Sequence, residues 1–270
     1  MPNFFFWNTA GKPVEKLISA AAESHDVDLF LLAECSIDTR VLIRSLNSRG
    51  SGYRRLRSSL CRRITILTRY SSDYIRPFDE GERYSISRVK MPAREEILLV
   101  SAHLPSKLEF SDASQAQECA RLARLIIAAE ESVGHQRTLF MGDINVNPFE
   151  AGVVGAGALH AVMTKNTAAR NSRTIQGEDY RFFYNPMWSH FGDGRSDAPP
   201  GTYYYEKAEH VMYFWNIFDQ VLLRPALAGS FRHEDLAVLT HIGSESLLSP
   251  NGRPNKEVSD HLPLLLRLNF

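Results

Sequence analysis

The chain has 270 residues, no net formal charge at pH 7 and a pI near 7.1. This length suits one large domain, residues 1–270, and a hydrophobic fraction of 44% is ample for a core. The neutral balance argues against a protein that binds polyanions through its overall charge, although a local basic patch is still compatible with it.

The first half of the chain alternates apolar strands with helices. Two buried strands are predicted, and each ends at a polar residue, Asn8 and Glu34. Helices are predicted after Pro13 and over Asp38–Leu46. Further strands are predicted over Ile64–Leu67, Tyr84–Met91 and Glu96–Ala102, and the last of these ends at His103.

The segment between Tyr53 and Arg63 contains five arginines and no acid. Most charge runs are solvated surface, but arginines without acidic neighbours also suit a phosphate backbone. We interpret Arg54, Arg55 and Arg57 as loop residues that bind substrate. Arg62 and Arg63 are weaker candidates because they precede a strand.

The clearest helix covers Ser111–Val133, with Ser111 and Asp112 as candidate caps, Gly134 as its end and Ala116, Ala120, Ala123 and Ile127 on its apolar face. The strand Thr138–Met141 follows. Gly142, Asp143 and Asn145 then form either an ordinary turn or a functional strand end.

The stretch Ala151–Asn216 is the least regular part and is rich in aromatic residues. Such rings can stack on bases, but packing of a long loop is the commoner use, and we favour packing for most of them. Asp219 is predicted to lie within an apolar strand, Ile217–Leu223, where it needs a partner. A short strand over Leu236–Leu239 is followed later by Asp260 and His261, directly before the last strand.

The polar residues at these strand ends indicate one rim of a sheet-based core. Asp, Glu and Asn supply oxygen ligands, which suit Mg²⁺ or Mn²⁺ better than zinc. Mg²⁺ in turn favours phosphate oxygens, and a histidine beside a carboxylate can handle protons in ester cleavage. The pattern therefore indicates metal-assisted phosphate chemistry.

Six short motifs, in order along the chain, resemble the endonuclease/exonuclease/phosphatase superfamily, which is deoxyribonuclease I-like. They are Trp7-Asn8, Glu34 after a strand, Ala102-His103-Leu104, Gly142-Asp143-Ile144-Asn145, Phe218-Asp219-Gln220 and Ser259-Asp260-His261. The resemblance implies a four-layer α/β sandwich, in which two mixed, largely antiparallel β-sheets are flanked by helices.

The resemblance also implies roles for these residues. Glu34 would be the principal metal ligand, helped by Asn8 and Asp260. Asp143 would orient or deprotonate the attacking water, and Asn145 would hold a phosphate oxygen. Asp219 would orient His261 towards the scissile phosphate, and His103 would stabilise the developing charge.

Two departures from the superfamily pattern bear on function. Asn216-Ile217-Phe218 stands where the family often has Arg or Lys, which leaves the local support of Asp219 open. The strand that ends at His103 lacks the tyrosine typical of abasic-site repair nucleases, which argues against that activity.

The leading hypothesis is a Mg²⁺- or Mn²⁺-dependent phosphodiesterase that acts on DNA or RNA. The alternative is a hydrolase of a small phosphoester, such as a nucleotide, an inositol phosphate or a phospholipid headgroup, and a third reading is a binding module without activity. Three cysteines without a CxxC pair and the lack of a membrane-length apolar run favour a cytoplasmic protein. No membrane association and no obligate protein partner is expected.

Overall fold

Two mixed β-sheets face each other and carry helices on their outer sides. The computed structural model describes residues 2–194 and 198–270. The strands are β1 (Asn3–Asn8), β2 (Leu29–Ala33), β3 (Arg54–Arg55), β4 (Ile64–Thr68), β5 (Ile75–Gly81), β6 (Tyr84–Val89), β7 (Ile97–His103), β8 (Thr138–Asp143), β9 (Ala161–Val162), β10 (Ser172–Ile175), β11 (Glu178–Arg181), β12 (Phe183–Tyr184), β13 (Tyr203–Tyr204), β14 (Trp215–Asn216), β15 (Asp219–Leu223), β16 (Leu236–Val238), β17 (His241–Ile242), β18 (Glu245–Ser246) and β19 (Leu264–Arg267).

The α-helices and short 3₁₀ turns fill the connections. The helices are α1 (Glu15–Ser24), α2 (Thr39–Leu46), α3 (Asp112–Val133), α4 (Ala151–Val154), α5 (Lys165–Ala168) and α6 (Pro225–Ala228). The 3₁₀ turns are Pro186–His190, Gly192–Gly194 and His233–Asp235. No helix of the described ranges is long and apolar enough to cross a membrane.

The order of strands brings the polar strand ends to one edge. The first sheet has the order β16-β19-β1-β2-β4-β3, and the second has the order β5-β6-β7-β8-β15-β12-β9. β1 and β2 are parallel at the centre of the first sheet, as β7 and β8 are in the second. Because parallel neighbours end at the same edge, each sheet brings two polar strand ends together.

The core lies in layers on both sides of the second sheet. Leu99, Met141 and Val221 belong to the buried cluster that also contains the first sheet, α1 and α2. Val100 and Phe140, one residue along from Leu99 and Met141, instead pack with α3, since successive strand residues face opposite ways. The four-layer α/β sandwich with two mixed sheets is confirmed.

Several details differ from the sequence expectations. Arg54 and Arg55 form the edge strand β3 instead of a loop, and β15 begins at Asp219 instead of enclosing it. The strand β5 was not predicted, because its charges, Gly81 and Pro77 suppress the apolar pattern and suit an edge position. The irregular stretch Ala151–Asn216 includes residues 195–197, which lie outside the described residues.

The helix α3 begins and ends as predicted, but the centre of its buried face is shifted from the predicted one. Ser111 caps it through a hydrogen bond from Ser114 N, and Gly134 ends it in the left-handed conformation, with φ +74°. The predicted Ala123 is buried, together with Gln115, Cys119, Leu122 and Ile126. The other predicted face residues, Ala116, Ala120 and Ile127, are only partly buried.

Candidate active site

Glu34 enters the site through an unusual turn of the backbone. It follows the last residue of β2 and has φ +47°, a left-handed conformation that is uncommon for a residue with a long side chain. Its backbone oxygen accepts hydrogen bonds from Gly11 N and from Thr9 Oγ1, both at 3.0 Å. The turn is therefore fixed on the loop after β1, and the Glu34 side chain remains 41% exposed.

Gly142 allows β8 to lie unusually close to β7. A Cβ atom at this position would lie 2.5 Å from the backbone oxygen of Ala102, which is a clash with fixed backbone. The register places His103 opposite Asp143. The glycine therefore determines how closely the histidine and the carboxylate of the next residues approach.

The side chain of Asn8 connects the two sheets. Its Nδ2 donates to Asp143 Oδ2 at 2.9 Å and to Glu34 Oε1 at 3.2 Å, while its Oδ1 accepts from Ala10 N at 2.9 Å. Asn8 thus presents its amide nitrogen to the carboxylates and holds two like charges near each other.

His103 contacts the same two carboxylates. Its Nε2 lies 3.3 Å from Glu34 Oε1 and 3.8 Å from Asp143 Oδ2. Its Nδ1 is buried and has no hydrogen-bond partner among the described residues. The ring therefore presents one nitrogen to the acidic centre.

Asp219 and His261 form a second carboxylate–histidine pair. His261 Nδ1 lies 2.8 Å from Asp219 Oδ2, and His261 Nε2 lies 3.9 Å from Asp143 Oδ2. The His261 backbone is fixed because its oxygen accepts from Trp7 Nε1 at 2.9 Å and its nitrogen donates to Ser259 Oγ at 3.1 Å. Ser259 Oγ in turn donates to the Asn8 backbone oxygen at 2.8 Å.

The surrounding charges favour a protonated His261. Burial alone would lower the pKa of His261, but the Asp219 and Asp143 carboxylates outweigh it and raise this pKa to about 10. Burial raises the pKa of Asp219, an effect that the charge of His261 opposes. The geometry therefore favours an imidazolium that can donate from Nε2 into the site.

Asn145 and its neighbours are held by the polar loop after β8. Asn145 N donates to Asp143 Oδ1 at 3.0 Å, and its Nδ2 donates to Leu104 O at 3.0 Å. Asn147 binds the segment before Asp219, through Nδ2 to Asn216 Oδ1 and through Oδ1 from Ile217 N, both at 2.9 Å. Asn147 thus supports the segment where the family often has Arg or Lys.

The donor set suits a hard divalent cation. Four acids (Glu34, Asp143, Asp219 and Asp260) meet only two histidines in this region, and carboxylate oxygens are the ligands that Mg²⁺ prefers. Single donor atoms of Asp143, Asp219 and His261 lie within 4.8 Å of one another, so this buried group could also hold a metal. It differs from the predicted ligands Asn8, Glu34 and Asp260, which stay a prediction. Asp219 and His261 are already hydrogen-bonded to each other, so we favour the half-exposed Glu34 as a ligand.

Sequence reasoning did not find the aromatic wall of the site. The ring of Tyr203 lies 4.7 Å from the His261 ring and 5.2 Å from the Phe218 ring, measured between centroids. Burial raises the pKa of Tyr203 to about 12, so its hydroxyl stays neutral. Tyr203 belongs to an aromatic run, but nothing in its spacing marks it for the site.

The structure brings together the eight acidic, amide and histidine residues predicted for the site, and it spreads the five arginines along β3 and the segment before β4. Ile64, at one end of β4, pairs with Ala33 beside Glu34, whereas Arg54 pairs with Thr68 at the other end. Arg62 and Arg63 are therefore nearer along the strands to the acidic centre. The role of Arg54, Arg55 and Arg57 in substrate binding stays a prediction.

Neither a protein-family model nor a curated protein sequence matches the chain. Its structure, however, is similar over its full length to solved structures of low sequence identity. TDP2 from D. rerio, complexed with a single-strand DNA product, has 18% identity and a TM-score of 0.54 over 100% of this chain and 99% of that chain. The 3′ phosphatase NExo from Neisseria, bound to a product DNA hairpin, has 13% identity and a TM-score of 0.57 over 100% of both chains.

A third similar structure carries the family description in its name. The endonuclease/exonuclease/phosphatase family protein from Leptotrichia buccalis has 11% identity and a TM-score of 0.56 over 100% of both chains. The chain therefore has the endonuclease/exonuclease/phosphatase fold, which the six sequence motifs indicate.

Proposed function

We propose that this protein is a divalent-metal-dependent phosphodiesterase that hydrolyses nucleic acid within a single domain, residues 1–270. The observation that carries the proposal is the convergence of two carboxylate–histidine pairs on one acid. Glu34–His103 and Asp219–His261 approach Asp143 from different strand ends, with closest histidine distances of 3.8 and 3.9 Å to Asp143 Oδ2. Such a centre suits attack of water on an anionic ester.

Each side chain of the centre has a different role in the proposed hydrolysis. A divalent cation held by Glu34 and Asp260, with Asn8 orienting the Glu34 carboxylate through its amide nitrogen, would supply positive charge that offsets the charge of the phosphate. Asp143 orients the attacking water and accepts its proton. The water oxygen bonds to phosphorus as the P–O bond to the leaving ester oxygen breaks, and the leaving oxygen takes a proton from solvent. His261, kept in one orientation by Asp219, donates from Nε2 to a non-bridging phosphate oxygen, and His103 and Asn145 contact the remaining oxygens as charge develops.

Nucleic acid is the substrate that we favour. The similar TDP2 and NExo structures contain DNA products, and five arginines lie on the segment between Tyr53 and Ile64, which supports contact with a phosphate backbone. The neutral overall charge supports the alternative, a small phosphoester.

A substrate screen tests the proposal. Purified protein is incubated with plasmid, single-stranded DNA, RNA and a panel of small phosphoesters, with Mg²⁺, with Mn²⁺ or with EDTA. We expect cleavage of DNA or RNA that needs the metal. Hydrolysis of small esters alone would establish the alternative, and activity that EDTA leaves intact would overturn the metal-dependent mechanism.

A further inference from the structure

A groove opens beside Asp260, next to the catalytic centre. It has a volume of about 510 Å³, and its lining includes Tyr204, Tyr205, Arg253, Lys256 and Asp260. It thus combines aromatic rings, two cationic side chains and one residue of the proposed metal site. The proposed chemistry at the phosphate uses neither the rings nor the cations.

One wall of the groove is a stacked pair of planar groups. The Arg253 guanidinium lies 4.0 Å from the centroid of the Tyr204 ring and 2.9 Å from Glu206 Oε2. The ion pair holds the guanidinium flat against the ring, and a flat cationic surface of this kind can accept a base while its charge attracts phosphate. Lys256 is exposed and forms no ion pair with the described residues, so its charge is available.

Exposed aromatic rings continue from the groove across the loops. Phe214 lies 6.4 Å from Tyr204, and its neighbour Tyr213 lies 5.0 Å from Phe149, between ring centroids. Tyr213, Phe214 and Phe149 are 53%, 45% and 37% exposed. Large rings that only pack a loop onto the body would be buried, so these need another explanation.

The backbone at Phe214 is strained. Its φ is +61°, which is a genuine outlier for a bulky side chain. With this backbone conformation the Phe214 side chain is 45% exposed and its ring lies 6.4 Å from the Tyr204 ring. Strained residues of this kind cluster at ligand sites.

We propose that the groove and the rings of Tyr204, Phe214, Tyr213 and Phe149, here called the aromatic track, stack successive bases of a single-stranded nucleic acid. This inference rests on the proposed function and specifies its substrate as unpaired, because bases in a duplex offer no free faces. Arg253 and Lys256 favour this ligand over an uncharged one, and the adjoining Asp260 places the strand at the catalytic centre.

The test separates base stacking from backbone attraction. Fluorescence anisotropy measures binding of a labelled single-stranded 12-nucleotide DNA and of an abasic strand of equal length, in a His261→Ala background that prevents cleavage. The variants are Tyr204→Leu and the more exposed Tyr213→Leu. Tyr74→Leu is the control, because Tyr74 is also exposed and precedes β5 at the end of the second sheet remote from His103.

We expect Tyr204→Leu and Tyr213→Leu to weaken binding of the base-containing strand by about 5- to 150-fold, the range measured for one base–aromatic contact. Binding of the abasic strand should change less than about twofold, and Tyr74→Leu should change neither. Circular dichroism checks folding, and Tyr213→Leu decides the outcome if Tyr204→Leu is unfolded.

Two results would overturn the aromatic track: unchanged binding of the base-containing strand, or an equal loss for the abasic strand. Either result would leave the proposed function intact, because the binding assay does not measure cleavage. The proposed function fails if the unsubstituted protein cleaves no phosphodiester with any metal, whatever the binding assay gives.

Discussion

Asn8 and Asp143, at the ends of strands in opposite sheets, are joined by a hydrogen bond of 2.9 Å from Nδ2 to Oδ2. The same amide reaches Glu34 Oε1 at 3.2 Å. One neutral side chain therefore determines the separation of two carboxylates that would otherwise repel each other. The affinity of these two carboxylates for a cation therefore depends on the separation that Asn8 sets.

The first prediction concerns this amide. Asn8→Ala should weaken Mg²⁺ binding by about 10- to 100-fold, the usual effect of removing a group that orients metal ligands. Isothermal titration with Mn²⁺ measures the change. Asn47→Ala is the control, because Asn47 follows α2 and binds Tyr53, next to Arg54 at the end of β4 remote from Glu34. An unchanged affinity for Mn²⁺ would show that the carboxylates do not need Asn8.

The second prediction concerns Glu34. Glu34→Gln should abolish the rise in Tm that Mg²⁺ produces in the unsubstituted protein, because a ligand that binds only the folded state stabilises it. The Tm without metal should change little, since the side chain is 41% exposed. Glu245→Gln, at an exposed hairpin position, should keep the full Mg²⁺ response. If Glu34→Gln keeps it too, Glu34 is not a principal ligand.

The third prediction concerns the Asp219–His261 pair. His261→Ala should lower turnover of the cleaved nucleic acid by about two to four orders of magnitude. Asp219→Ala should do similar damage, because His261 loses the 2.8 Å contact that orients it. The double variant should be little worse than either single variant, since the two act as a unit. Losses that multiply would mean that Asp219 does not act through His261.

The fourth prediction concerns pH and stability. A folded-state pKa of about 10 at His261 means that the folded protein keeps a proton which the unfolded chain releases near pH 6.5. The resulting stabilisation is complete below pH 6.5 and is lost as the pH rises towards 10. In urea titrations with EDTA, the stability advantage over His261→Gln should therefore shrink from pH 7 to pH 9. His241→Gln, at an exposed position, is the control for the loss of a histidine. If the difference in free energy of unfolding from His261→Gln does not change with pH, His261 is not protonated in the folded protein.

The fifth prediction concerns the arginines. Each lost phosphate contact should flatten the plot of log affinity against log salt by roughly 0.7 to 0.9. Arg62 and Arg63 should matter for short and long strands alike. Arg54 and Arg55 should matter mainly for long ones, because they pair with Thr68 and Leu67, about 10 to 13 Å further along β4. Arg57 is closer to the centre, because Leu56 N donates to Ile66 O and this register places Arg57 beside Thr65. Double alanine variants of Arg54 with Arg55 and of Arg62 with Arg63 are compared on 6- and 30-nucleotide strands. Unchanged slopes for both variants would remove the local support for nucleic acid.

The strands and the site could be anticipated because both leave local signals. An apolar run followed directly by Glu34, His103 or Asp143 indicates a buried strand that ends at a polar residue. The order of six motifs then indicated the fold, which the similar structures bear out. The functional roles of these residues stay predictions that the variants above address.

Features that depend on three-dimensional proximity gave no such signal. Tyr203 reaches His261 only because β13 lies beside the segment before β19, and the pairing of β3 with β4 depends on tertiary hydrogen bonds in a polar segment. The buried face of α3 was predicted only in part, at Ala123, because its mixed Ala, Cys and Gln residues give no sharp apolar stripe. In these places tertiary contacts outweigh local propensity.

The hydrogen bonds from Trp7 to His261 and from Ser259 to Asn8 join positions more than 250 residues apart. A ribosome has released Asn8 long before it adds His261, so a partly synthesised chain lacks half of the centre. The partly synthesised chain also lacks β19, the strand with which β1 pairs. The acidic centre is therefore complete only once the segments around Asn8 and His261 have met, so it assembles late in folding.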